Sequence, residues 1–174
     1  MPRSDSVNPA LAARRRMLVT GSALLLAGCG FELRRAPELR YRTIALAGFA
    51  PRSPLAEELR RSIDASSTTR VVETVAQAQV VLEVLEDVRE KSVVASSAVG
   101  QVTEFQLRSR LRFRLRGATG KELIPATEIL LSRDMSYTES AVLGKEQEEA
   151  FLYRSMQSDI VAQVLRRLAS VRSL

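Results

Sequence analysis

Thr103-Glu104-Phe105-Gln106-Leu107-Arg108-Ser109-Arg110-Leu111-Arg112-Phe113-Arg114-Leu115-Arg116 is the stretch that decides the fold. Thr103, Phe105, Leu107, Ser109, Leu111, Phe113 and Leu115 fall on one side of a strict period of two, which a β-strand turns into two chemically different faces. The first face suits a core, and Phe105 and Phe113 belong to it. The second bristles with Arg108, Arg110, Arg112, Arg114 and Arg116. A sheet with one apolar and one charged face is covered by helices on one side only.

Turns bound this strand at both ends. Gly117-Ala118-Thr119-Gly120 follows it, and Ile129, Leu131, Met135 and Tyr137 then form the apolar side of a strand expected from about 127 to 137. Before it, Ser96-Ser97-Ala98-Val99-Gly100 reads as a turn. The preceding Val80-Val81-Leu82-Glu83-Val84-Leu85-Glu86 opens almost continuously apolar and then becomes polar on one side, as a strand does on leaving the core for solvent. Thr43-Ile44-Ala45-Leu46-Ala47 is a short buried strand ended by Gly48 and Pro51, and Val71-Val72 centres another.

Two stretches carry helical periodicity instead. Ser53-Pro54 is an N-cap followed by proline at the first helical position, with Glu57 and Glu58 where the helix dipole favours negative charge. Leu55, Leu59 and Ile63 recur every four residues, so a helix is expected over 54–64. Leu152, Met156, Ile160, Val164 and Leu168 do the same in a longer helix expected over 145–170. Together these elements predict an α+β two-layer sandwich, two helices on a mostly antiparallel sheet of four or five strands.

The start of the chain carries a different kind of signal. Arg14-Arg15-Arg16 precedes the apolar run Met17 to Leu26, and Leu26-Ala27-Gly28-Cys29 closes it with small residues and the one cysteine of the chain. That order is the charged, apolar and small-residue plan of a secretory signal peptide, and its ten-residue apolar run is half of what a membrane-spanning helix needs, about twenty residues. A small-residue pair followed at once by cysteine resembles the bacterial lipobox, which implies a diacylglycerol on the Cys29 thiol and an acyl chain on its new amino terminus. Two or more chains hold a protein at a membrane where one does not. Export by the general secretory route is expected; Arg14-Arg15 matches the twin-arginine pattern only loosely. Gly30 stands where an aspartate would favour inner-membrane retention in such lipoproteins, so the outer membrane is the expected destination. Residues 1–28 are thus read as leader, 29–42 as a lipidated tether containing Pro37, and 43–174 as one domain.

Composition narrows the chemistry. Removing the leader leaves 22 basic and 19 acidic side chains, a mild balance that does not demand nucleic acid. With no histidine and one cysteine, a Ser-His-Asp device, a Cys-His device, the usual zinc ligand sets and an internal disulfide are all excluded. No cofactor is expected beyond the lipid on Cys29. The carboxylates Glu83, Glu86, Asp87 and Glu90 offer an acid–base pair only if a cleft unites them, and enzyme activity is not expected.

Four features taken in order resemble one family: Cys29-Gly30-Phe31-Glu32-Leu33-Arg34 after a lipobox; a Pro54-Leu55 helix bearing Leu59-Arg60; Gly100-Gln101 before Thr103-Glu104-Phe105-Gln106-Leu107; and a closing helix that opens at Lys145-Glu146. They resemble the lipopolysaccharide-assembly lipoproteins of the LptE family. The resemblance implies a plug inside the outer-membrane β-barrel LptD that helps assemble the barrel and deliver lipopolysaccharide to the outer leaflet. It also implies that Lys145 contacts this ligand. An aromatic-arginine pair of the family is replaced here by Ser97-Ala98, so Arg89 or Lys91 would take over that contact. Arg108, Arg110 and Arg112 are further candidates, since arginine grips phosphate and carboxylate through paired hydrogen bonds. The competing reading is a free-standing periplasmic lipoprotein whose arginine row binds an anionic lipid or glycan.

Overall fold

The structure, a computed structural model, describes residues 38–171; Cys29, the leader and the first part of the tether lie outside the described residues. The chain runs β1 (Thr43–Ala47), α1 (Pro54–Asp64), β2 (Arg70–Val72), a 3-10 turn (Val75–Gln77), β3 (Val80–Ser96), β4 (Val102–Gly117), β5 (Glu122–Ser136), a second 3-10 turn (Glu139–Ala141) and α2 (Val142–Ala169). One five-stranded sheet has the order β2-β1-β3-β4-β5. This is the expected α+β sandwich, with a difference in strand direction. β3, β4 and β5 form an antiparallel meander, while β1 pairs in parallel with both β2 and β3. The parallel pairs follow from the α1 crossover, because a helix between two neighbouring strands returns the chain to the same end of the sheet.

Both helices lie on the face made by the apolar side of β4. Leu111, Phe113 and Leu115 meet Leu82 and Val84 of β3, Leu55, Leu59 and Ile63 of α1, and Ile160, Val164 and Leu168 of α2 in one core. A smaller cluster of Leu107, Met135 and Met156 continues that layer outward. On the other face only Ala45, Ala78 and Val81, backed by Ala47 and Val72, form an apolar patch. The predicted cap is in place: Ser53 Oγ accepts a hydrogen bond from the Ala56 amide at 3.3 Å, with Pro54 next to it.

The tether reading extends too far. Leu39 and Tyr41 are 4% and 2% exposed and belong to the main core, so the chain joins the domain before residue 43. They alternate with Arg40 and Arg42, a period of two too short to separate from noise beside Pro37. Thr69 Oγ1 donates to the Tyr41 carbonyl at 2.5 Å and the Arg70 amide to the Arg42 carbonyl at 2.9 Å, fixing this segment to the α1–β2 loop. β3 is also longer than its apolar start indicates. Its outer half is exposed and is held by pairing with β4 as far as Ser96 opposite Val102.

Gly48 has φ +79°, and a Cβ placed there would stand 2.1 Å from the Val84 carbonyl oxygen. The close approach coincides with the register shift between Val84 and Glu86, where Leu85 is the extra residue of a bulge. Beyond it, Glu86, Val88 and Glu90 face the same side as Arg112, Arg110 and Arg108. Among the described residues no helix is long and apolar enough to cross a membrane.

Candidate functional site

The candidate residues divide between the two faces of the sheet. On the open face Arg108, Arg110 and Arg112 stand in the row read from the sequence, continued by Arg114 and Arg116. The register with β3 and β5 adds what the row alone conceals, a set of facing carboxylates. Glu83 accepts from Arg114 Nε at 2.7 Å and lies 3.1 Å from Arg116 Nε; Glu86 lies 3.5 Å from both Arg110 and Arg112. Glu90 stands opposite Arg108 on one side, while Glu128 and Glu122 of β5 stand opposite Arg112 and Arg116. Arg108 donates its Nε to Gln106 at 2.7 Å. The row is therefore a ladder of interleaved charge and not a bare cationic strip, which corrects the picture drawn from β4 alone.

The Arg114 hydrogen bond, reinforced by its charge and that of Arg116, holds the Glu83 carboxyl below the usual glutamate range against a smaller opposing effect of desolvation. The same contact raises Arg114. A folded-state pKa that is depressed contributes stability above the unfolded value, about 4.3, and that stability is lost as pH falls through the folded value. Glu83→Gln is accordingly expected to flatten the acid limb of the stability curve below about pH 4.3. Urea titrations at a series of pH values measure it, and an unchanged acid limb would remove the ion pair from the account.

Arg89, Lys91 and Lys145 gather on the helix side, around the first half of α2. Arg89 donates to Gln157 Oε1 at 2.7 Å and its guanidinium sits 5.4 Å from the centre of the Tyr153 ring. Lys91 Nζ bonds Glu149 at 2.5 Å and lies 4.3 Å over the Phe105 ring, which packs edge-on against Tyr137. Lys145 donates to Ser136 Oγ at 3.1 Å and Glu148 at 2.8 Å. An open groove of about 450 Å³ runs between Arg89, Tyr153, Arg154, Glu146 and Glu149. Each cation already has a carboxylate or amide partner at the surface. Exposed ion pairs contribute only about 0–1 kcal/mol, so an incoming phosphate can exchange with Glu148 or Glu149 at little cost. Arg108, Arg110 and Arg112 are on the far side of the sheet and do not join this cluster.

Sequence reading missed the side chains that hold the cluster. Glu149, Tyr153 and Gln157 recur every four residues beside the apolar stripe of α2, and that spacing was the available signal. Gln157 joins three elements: it accepts from Arg89 of β3 and donates to Glu58 of α1 at 2.5 Å and to the Pro54 carbonyl at 3.4 Å. Tyr153 Oη donates to the Glu90 carbonyl at 2.8 Å. Gln157→Ala leaves Glu58 and Arg89 short of a partner and is expected to cost about 1–2 kcal/mol by chemical denaturation. A neutral result would make the three-way contact incidental.

Glu83, Glu86 and Asp87 do not converge. The first two are paired with arginines on the open face, and Asp87 stands opposite Leu111 on the other.

The model of the family described as LptE, lipopolysaccharide-assembly, matches residues 41–168. Among solved structures, uncharacterized lipoprotein B from Nitrosomonas europaea is 31% identical with a TM-score of 0.70, the match covering 81% of this chain and 91% of that one. Rare lipoprotein B from Shewanella oneidensis shares the fold at 19% identity and a TM-score of 0.63, covering 74% and 95%. A minor lipoprotein from Acinetobacter baumannii does so at 22% and 0.62, covering 76% and 94%. A comparison with curated proteins finds no match. The family match spans every strand and nearly all of α2, and it joins the 31% identical structure in one conclusion: this chain belongs to the LptE family of lipopolysaccharide-assembly proteins.

Proposed function

We propose that this protein is an outer-membrane lipoprotein, acylated on Cys29, that sits within the LptD β-barrel, supports its assembly and assists delivery of lipopolysaccharide to the outer leaflet without turnover of its own. Family membership over residues 41–168 carries the reading. The surface supports it: the lumen of a large barrel is polar, and the open sheet face presents charge interleaved in both signs, where an apolar face would be excluded. Lys145, Lys91 and Arg89 are the proposed lipopolysaccharide contacts, since their carboxylate partners are exchangeable and Arg89 can grip a phosphate by paired bonds. The ladder residues Arg108, Arg110 and Arg112 face the barrel instead of the ligand.

Extraction of membranes in mild detergent tests the two levels separately. The expected result is co-purification with the folded barrel, and an amino-terminal peptide beginning at Cys29 with the mass of a diacylglycerol and one further acyl chain. Recovery of the free lipoprotein beside an intact barrel would favour the free-standing reading. Lys91→Glu with Lys145→Glu should leave barrel co-purification intact while reducing lipopolysaccharide retained by the complex by roughly tenfold or more, the loss of one to two charge-assisted contacts. Retention unchanged by that double substitution would move the ligand site elsewhere.

A further inference from the structure

The opposite end of the molecule has a second basic feature that the lipopolysaccharide reading does not use. Arg40, Arg42 and Arg70, with Thr43, Ser67 and Thr68, line an open cleft of about 600 Å³. No carboxylate lines it, and among the described residues none of the three arginines is ion-paired, unlike the ladder and the α2 cluster. The cleft is also built, in that segments distant in sequence are fixed against each other. Thr43 stands opposite Arg70 in the β1–β2 pair, the Arg70 amide bonds the Arg42 carbonyl, and buried Thr69 ties the loop to Tyr41.

Position gives the cleft its meaning. The Arg42 amide bonds the Gln79 side chain, and Ile44 pairs with Val80, so the cleft lies at the start of β3. Lys91 is eleven residues further along that strand, roughly 35 Å away at about 3.3 Å per residue. Arg40 also follows Cys29 by eleven residues, within about 40 Å of it for a fully extended chain. A basic site so close to an acylated residue faces the headgroups of the leaflet that holds the anchor, where a polybasic patch adds a second membrane signal to the acyl chains.

We infer that this cleft binds the phosphate of an anionic phospholipid headgroup, and so fixes the β3 end of the domain against the membrane while the Lys145 end points away. The inference rests on the reading of Cys29 as lipid-anchored for the source of the ligand, whereas the phosphate chemistry rests on the arginines alone.

The test is a titration of the full mature protein, in neutral detergent, with dihexanoyl-phosphatidylglycerol, dihexanoyl-phosphatidylcholine or inorganic phosphate. Backbone amides of 40–43 and 67–70 and the arginine Nε–H groups are followed by NMR. Saturable shifts with phosphatidylglycerol at concentrations at least about tenfold below those of the other two probes are expected. Arg42→Gln with Arg70→Gln should weaken that response by about tenfold or more, the signals of Leu107 and Met156 remaining in place as the sign of an intact fold. Equal responses to both lipids, or no saturation, would overturn the site. A response to inorganic phosphate as tight as to phosphatidylglycerol would overturn the lipid source. Because the probes are short-chain and soluble, an unacylated Cys29, seen by mass spectrometry, is distinguished from an empty cleft, and barrel co-purification is read independently of both.

Discussion

Phe113→Ala is expected to lower the unfolding free energy by about 3–5 kcal/mol, the usual cost of deleting a fully buried aromatic side chain. Phe113 is 0% exposed at the middle of the long central strand, between α1 and α2, and Arg167 of α2 stacks its guanidinium 6.0 Å from the ring centre. Removing the ring takes away the surface against which both helices close, and neighbours on three elements cannot all move in to fill it. A single-domain protein has only about 5–15 kcal/mol in total, and one cysteine leaves no internal disulfide in reserve. Urea denaturation followed by circular dichroism measures the change. A loss below about 1 kcal/mol would mean that the core repacks and that the layered description is wrong at its centre.

The second large effect concerns a residue with no side chain. Gly48→Ala is expected to cost about 1–3 kcal/mol from the positive φ alone, and more because its Cβ would stand 2.1 Å from the Val84 carbonyl oxygen, a backbone atom in a paired strand. Relief requires β3 to shift at the bulge where its register changes, and each ladder bond lost costs about 1 kcal/mol. Gly120→Ala is the control. It has a similar φ of +86° but nothing within 4 Å of the new methyl, so only the conformational cost remains. Equal destabilisation of the two variants by thermal denaturation would show that the approach to Val84 is unimportant.

These residues show how legibility was divided. Phe113 is readable as core from its place in the alternation of β4, and Leu59 or Val164 from a spacing of four, because burial of one face repeats at the period of the element itself. Gly48 was read correctly as the end of β1, but its close approach to Val84 is a contact between residues far apart in the chain and leaves no local trace. The same holds for Leu39 and Tyr41, whose short alternation meant nothing until the α1–β2 loop was seen beneath it.

The candidate site divides along the same line. Lys145, Arg89 and Lys91 were named from the resemblance, and the fold does gather them around α2; Gln157 and Tyr153, which hold two of the elements involved, were not named. Arg108, Arg110 and Arg112 were grouped with them by charge alone and turned out to occupy the opposite face.

What the chain determines by itself is therefore everything that follows from periodicity and local chemistry: the strands, both helices and their caps, which side of each is apolar, and the lone thiol at the end of an apolar run. Tertiary structure decided which charges meet. Arg114 and Glu83 are 31 residues apart and Gln157 and Glu58 are 99 apart, and one residue of bulge at Leu85 sets which side of β3 its outer carboxylates occupy. The physical reason is that hydrophobic burial is a property of each side chain and repeats along an element, whereas a charge is neutralised or left free only by the register in which distant elements are brought together.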